Sequence, residues 1–116
     1  MAVFFTCEEP QALLDAFQSR IEQTEPKDSI TTWVRSDDGR FYTHRANDWA
    51  RKAWFRPVVG PSTLTFNIVK PVNQAISTVA YAYYHGHLIE TFLAHFDAFF
   101  TDARATAFPA INDLVG

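Results

Sequence analysis

Hydrophobic and polar positions recur along this chain with two different periods, and the switches between them mark the elements. Val3 to Thr6 reads as a short strand. From Pro10 to about Thr24, Leu13, Leu14, Phe17 and Ile21 fall on one stripe at helical spacing, with Asp15, Ser19 and Glu22 off it. Pro10 suits the first turn of that helix because its missing N–H has no partner there to lose. Glu8 and Glu9 complement the positive end of the helix dipole, and Pro26 closes the segment. The stretches 30–36 and 41–45 are rich in β-branched and aromatic residues and flank Asp37-Asp38-Gly39, which predicts a hairpin. Gly39 supplies the positive φ that either a type I′ turn or a type I turn with a G1 bulge requires. These two turns differ in register by one residue, so the facing pairs stay open.

Beyond the hairpin the pattern loosens. The segment 46–54 reads either as one helical turn capped by Asn47 or Asp48, or as a loop feeding a strand from Lys52 to Val59. Pro57 lacks a ladder donor, which puts that strand at an edge or a bulge. After the Gly60-Pro61-Ser62 turn, Leu64, Phe66 and Ile68 alternate cleanly on one face of a strand that Lys70-Pro71-Val72-Asn73 ends. Ala75 to Tyr84 reads as the last long strand, with Ala80 and Ala82 on a flat face. A helix is then predicted from about Gly86 to Thr101, where Ile89, Leu93, Phe96 and Phe100 form one stripe and Leu88, Phe92 and Phe99 an adjoining one. Its apolar surface wraps more than half the cylinder, so it is expected to be buried on two sides. Arg104 to Phe108 adds a short strand, and the tail from Ala110 is expected to be loosely held. Together these elements predict a single α+β domain over residues 1–116. Its antiparallel sheet has about four to six strands built from hairpins, with an N-terminal and a C-terminal amphipathic helix packed on it.

Composition changes this picture in two ways. Eleven Phe, four Tyr and three Trp among 116 residues exceed what a bare scaffold needs, so either the core is crowded with rings or some of them line a pocket or a partner surface. Charge is uneven. Residues 35–56 carry six cations (Arg35, Arg40, Arg45, Arg51, Lys52, Arg56) against Asp37, Asp38 and Asp48, whereas the whole chain has a net charge of −3. Trp33, Trp49 and Trp54 are interleaved with those cations. That mixture suits single-stranded nucleic acid, but the overall acidity argues against it and favours an acidic protein surface, for example the chain's own first helix. No stretch has the eighteen or so apolar residues of a membrane helix. The single Cys7 makes no internal disulfide, so the cytoplasm is the expected compartment.

Candidate chemistry centres on His85-Gly86-His87, with Glu90 three residues after His87 and His44 on the hairpin as a further imidazole. If a strand runs through His87, the two imidazoles share a face; if a helix starts at Gly86, His87 and Glu90 share one instead. A zinc site needs three or four such ligands, and a capped, solvated junction is the plainer reading. His95 lies on the Leu88/Phe92/Phe99 stripe as a pocket anchor or, more plainly, a satisfied histidine at the core's edge. Cys7 precedes a helix start, yet the neighbouring acids oppose a reactive thiolate. There is no phosphate loop, no dinucleotide fingerprint, no nucleophile elbow and no clustered cysteine, so no cofactor is expected and nothing argues for an enzyme.

The expected function is a non-enzymatic interaction module, a homo-oligomer (a dimer) or one member of a protein pair. Its contact surface is drawn from Leu88, Phe92, Phe99, Arg35, Arg45, Arg51, Lys52, Trp49 and Trp54. The alternative is a carrier of a small apolar ligand in an aromatic-lined pocket between sheet and helix, with His85, His87 or His95 as polar anchors. Metal-dependent hydrolysis and nucleic-acid binding stand behind both.

Overall fold

The structure, a computed structural model, describes residues 2–114. In chain order it contains β1 (Ala2–Thr6), α1 (Pro10–Glu22), β2 (Trp33–Arg35), β3 (Tyr42–His44), β4 (Trp54–Val59), β5 (Thr63–Val69), α2 (Thr78–Phe96) and β6 (Asp102–Ala105). The six strands form one sheet in the order β2-β3-β4-β5-β1-β6, and every neighbouring pair is antiparallel. This is an α+β arrangement, with one N-terminal and one C-terminal helix on an antiparallel sheet.

Period-two alternation decides what each strand contributes. Val3 and Phe5 of β1, Phe55 of β4 and Leu64, Phe66 and Ile68 of β5 are fully buried on the inner face, where both helices lie. Helix α1 adds Leu13, Leu14 and Phe17; helix α2 adds Tyr81, Tyr84, Leu88, Phe92 and Phe96. The rings form a continuous network. Phe92 stacks on Phe5 at 4.2 Å and meets Phe17 at 5.0 Å, and Phe17 in turn reaches Tyr42 and Phe66. A crowded core therefore accounts for most of the aromatic excess. On the opposite face the guanidinium of Arg104 lies 4.3 Å over Phe4, and Trp54 meets Phe41 edge-on.

Pro10 occupies the first turn of α1, and the helix ends at Glu22, close to the expected boundary. In the hairpin, Gly39 takes φ +76° and its N–H bonds the Ser36 carbonyl, while Asp37 and Asp38 stay out of the left-handed region. That excludes the type I′ turn, which needs positive φ at both central residues, and sets Arg35 opposite Tyr42. Pro57 sits inside the sheet rather than at its edge. The conflict is resolved because β3 meets β4 only at Tyr42–Phe55, so the half of β4 carrying Pro57 has no neighbour on its β3 side. The stretch 46–52 is a loop with one tight turn, Trp49 and Ala50 both bonding the Ala46 carbonyl, and Arg51 adopts a positive φ.

Two expectations are corrected. The stretch 75–84 is not a strand: α2 begins at Thr78, and the Ser77 hydroxyl caps it by accepting the Ala80 N–H at 3.1 Å. The residues 80, 81, 84, 88, 92 and 96 then form one unbroken inward stripe, and the β-branched and aromatic residues that mimic a strand follow helical spacing instead. The tail is also held. Asp113 accepts the Ile68 N–H and the Asn67 side-chain amide, Leu114 bonds Ile68 and Lys70, and Arg56 donates to the Asn112 carbonyl.

Candidate functional site

Because α2 runs through His85-Gly86-His87, the two histidines point to different sides of the helix and share no face. His85 turns inward, buried, and its ring bonds the Tyr81 carbonyl one turn back at 2.7 Å. His87 turns toward the hairpin and meets His44, whose Nε2 lies 2.6 Å from His87 Nδ1. The backbone assigns the protons in this pair. The Ala46 N–H donates to His44 Nδ1 at 3.1 Å, so neutral His44 carries its proton on Nε2 and donates it to His87 Nδ1. The proton of His87 is then on Nε2, 4.0 Å from the Glu90 carboxylate. The helical spacing of His87 and Glu90 read from the sequence is thus present.

Rings surround this chain of donors. Trp33, Tyr83 and Tyr84 contact His44, and Tyr83 stacks on Trp49 at 4.0 Å with a 5° interplanar angle. The Tyr84 hydroxyl bonds the Trp49 carbonyl and Thr43, and Trp33 donates to Thr91 at 3.0 Å. His44 is 2 % exposed, and burial, reinforced by the neighbouring His87 charge, lowers its pKa from 6.5 to about 4. The pair thereby fastens the 46–52 loop to the flank of α2. A direct contact of 2.6 Å leaves no room for a metal between the two nitrogens, whose bonds to zinc are each about 2 Å long. Among the described residues no group of three or more His, Cys, Asp or Glu gathers as a metal site requires.

The remaining candidates separate. His95 lies on another side of α2, where Arg20 donates to its Nδ1 at 3.1 Å; burial first, and the Arg20 charge second, depress its pKa. Cys7 is buried, and burial pushes its thiol pKa up, away from nucleophilic use. Arg35 pairs with Glu22 of α1 at 3.0 Å, so one cation of the basic segment does serve the chain's own first helix. Arg45, Arg51 and Lys52 are exposed around the 46–52 loop, and Trp54 lies half-buried on the outer sheet face. Leu88 and Phe92 are fully buried against the sheet, which removes them from any contact surface, whereas Phe99 is 61 % exposed.

Nor is α2 buried on two sides. Its outward face carries Val79 at 66 % and Leu93 at 54 % exposure, with Ala82, Gly86 and Ala94 exposed and Tyr83 and Ile89 half-buried. Glu90 is the only charge on that face before Asp97 at the helix end. The strand reading of 75–84 hid this surface. The signal that finds it is the spacing of Val79, Gly86 and Leu93, seven residues apart on one helix. Among the described residues, open clefts flank the core. One of about 370 Å³ lies between α1 and residues 98–101, and one of about 300 Å³ lies between the start of α2 and residues 105–107. Comparison with known proteins finds no matching family model, no matching curated protein and no matching solved structure.

Proposed function

We propose that the protein is a self-associating interaction module, a two-fold dimer closed through the outward face of α2. The observation that carries this reading is that the face is symmetric about Gly86. In an antiparallel crossing centred there, each residue meets the one equally far on the other side. Val79 then meets Leu93 of the second copy, Tyr83 meets Ile89, Ala82 meets Glu90, and Gly86 meets itself. A two-fold interface needs this kind of self-complementarity, because one patch must serve as both halves.

The chemistry is consistent along the helix. The exposed apolar side chains at the two ends of the patch are the ones buried, at roughly 1.5–3 kcal/mol for each fully covered side chain. A Cβ added at Gly86 meets nothing within 4 Å, so at the crossing point the helix surface is bare and a second backbone approaches closely. The two Glu90 side chains are offset by eight residues along the paired helices, about 12 Å, beyond the screening length at physiological salt.

Multi-angle light scattering at micromolar concentration tests it. The expected wild-type mass is twice 13.2 kDa. Gly86→Arg is expected to be a folded monomer that still unfolds cooperatively, since nothing inside the fold contacts the new side chain. A monomeric wild type, or a dimer that survives Gly86→Arg, overturns the proposal.

A further inference from the structure

The outer face of the sheet, opposite both helices, carries rings and cations that packing of the core does not use. Its composition follows from register. Phe4 stands between the buried Val3 and Phe5 on β1, so its ring points away from the core. It pairs with Thr65 of β5 on one side and Arg104 of β6 on the other. Thr65 in turn faces Val58, which is 39 % exposed. Two and four residues back along β4, Arg56 and Trp54 fall on the same face as Val58. Trp54 meets Phe41 edge-on at 6.5 Å, and Arg40 lies 5.5 Å over the Phe41 ring. The fold thus divides the basic, ring-rich segment 35–56. Trp33 enters the core and Trp49 stacks on Tyr83, whereas Phe41, Trp54 and Arg56 gather on the outer face and are joined there by Phe4 and Arg104.

The net charge of −3 does not describe this face. Asp15, Glu22 and Glu90 belong to the helices, in the layer on the other side of the sheet. Arg56 and Arg104 make no ion pair among the described residues; Arg56 donates only to the neutral Asn112 carbonyl. The acids nearest them, Asp102 opposite Thr6 and Asp113 on Asn67, stand at opposite ends of β5, and Asp113 already accepts three N–H groups. We infer that this face binds single-stranded nucleic acid. Bases stack on Phe4 and on the Phe41–Trp54 pair, and Arg56 and Arg104 meet the phosphates. The Arg104 guanidinium, 4.3 Å over Phe4, shows that a flat group already fits above that ring, and its plane is itself a surface on which a base stacks. From β4 to β6 is three strand spacings, about 14 Å, so the tract held is a few nucleotides long.

Fluorescence anisotropy with labelled single-stranded oligo-dT at low salt is the test. Saturable binding is expected, weakening as salt rises, with weaker binding of a duplex of the same length, whose base faces are hidden. Phe4→Leu keeps apolar bulk but removes the ring, and is expected to weaken binding about tenfold, the worth of one stacked base. Trp54→Leu repeats the test at the second platform, and melting curves check that both variants are folded. Arg104→Gln is expected to lower the slope of log affinity against log salt by about one. The inference is overturned by a wild type that does not bind, a duplex that binds as tightly, wild-type affinity in the two leucine variants, or an unchanged salt slope in Arg104→Gln. Competition by polyglutamate equal to that by oligo-dT also overturns it and assigns the face to an acidic protein instead. The face lies across the sheet from α2, so none of these readouts depends on whether the chain dimerises.

Discussion

The two helices lie on the same face of the same sheet, yet they treat their outer sides differently. Helix α1 buries Leu13, Leu14 and Phe17 and turns Gln11, Asp15 and Ser19 away from the core, the usual division for a surface helix. Helix α2 buries a longer stripe and then leaves Val79, Ala82, Gly86 and Leu93 on the other side, where folding asks nothing of them. Packing on the sheet explains the inward residues of both helices. It explains the outward residues of α1 as solubilising groups and leaves those of α2 without a role inside the monomer.

The sharpest way to break this contrast is to truncate adjacent residues on α2. Phe92→Ala removes a ring that touches Phe5, Phe17, Phe66 and Phe96 and is expected to cost about 3–5 kcal/mol in urea unfolding. Leu93→Ala, one position on, is expected to leave the unfolding of the monomer within about 0.5 kcal/mol while weakening association. Equal costs at the two positions would mean that the outer side of α2 is packed after all.

Next in size is the response to acid, strongest at the flank of α2 where His87 holds His44. The folded pKa of His44 lies below its unfolded value, so the unfolded chain binds this proton more readily. Stability is complete above pH 6.5, falls as the pH drops toward about 4, and levels off below that, a loss of up to about 3 kcal/mol. Urea midpoints measured across this range should show the slope in the wild type and a flatter one in His44→Phe.

Two smaller effects sharpen the comparison. Ser77→Ala removes the cap of α2 and is expected to cost about 1 kcal/mol by thermal unfolding. Glu9, at the equivalent place in α1, makes no side-chain cap, so Glu9→Ala should cost less. Gly86→Ala is expected to stabilise the isolated monomer by up to about 1 kcal/mol, since helical glycine is intrinsically unfavourable and the new methyl meets nothing.

What was legible in the sequence follows from how local each cause is. Pro10 and Pro26 bracket α1, and Asp37-Asp38-Gly39 specifies its own turn, so both were readable. The start of α2 was not, because Val79, Tyr81 and Tyr83 also alternate as a strand would, and Gly86 resembles a helix boundary rather than a helix interior. Only the Ser77 cap arbitrates, and a lone serine is a weak sign. The His44–His87 contact joins residues 43 apart, and no spacing rule brings such a pair together. Its histidines were visible as chemistry; their meeting depends on where β3 lands against α2. Pro57 was legible as a constraint on pairing but not as a position, since strand order is a property of the whole sheet.

The place of β1 in that sheet has a consequence for how the chain is made. The earliest of the six strands to be synthesised lies between β5 and β6, paired with residues 63–67 on one side and 102–105 on the other. It therefore waits without its sheet neighbours, and its Val3 and Phe5 stay exposed until partners some sixty and a hundred residues later arrive. Such distant pairings fold slowly and leave sticky strands open in the interval. The end of this sheet formed by β1 and β6 is accordingly its last part to become safe from aggregation.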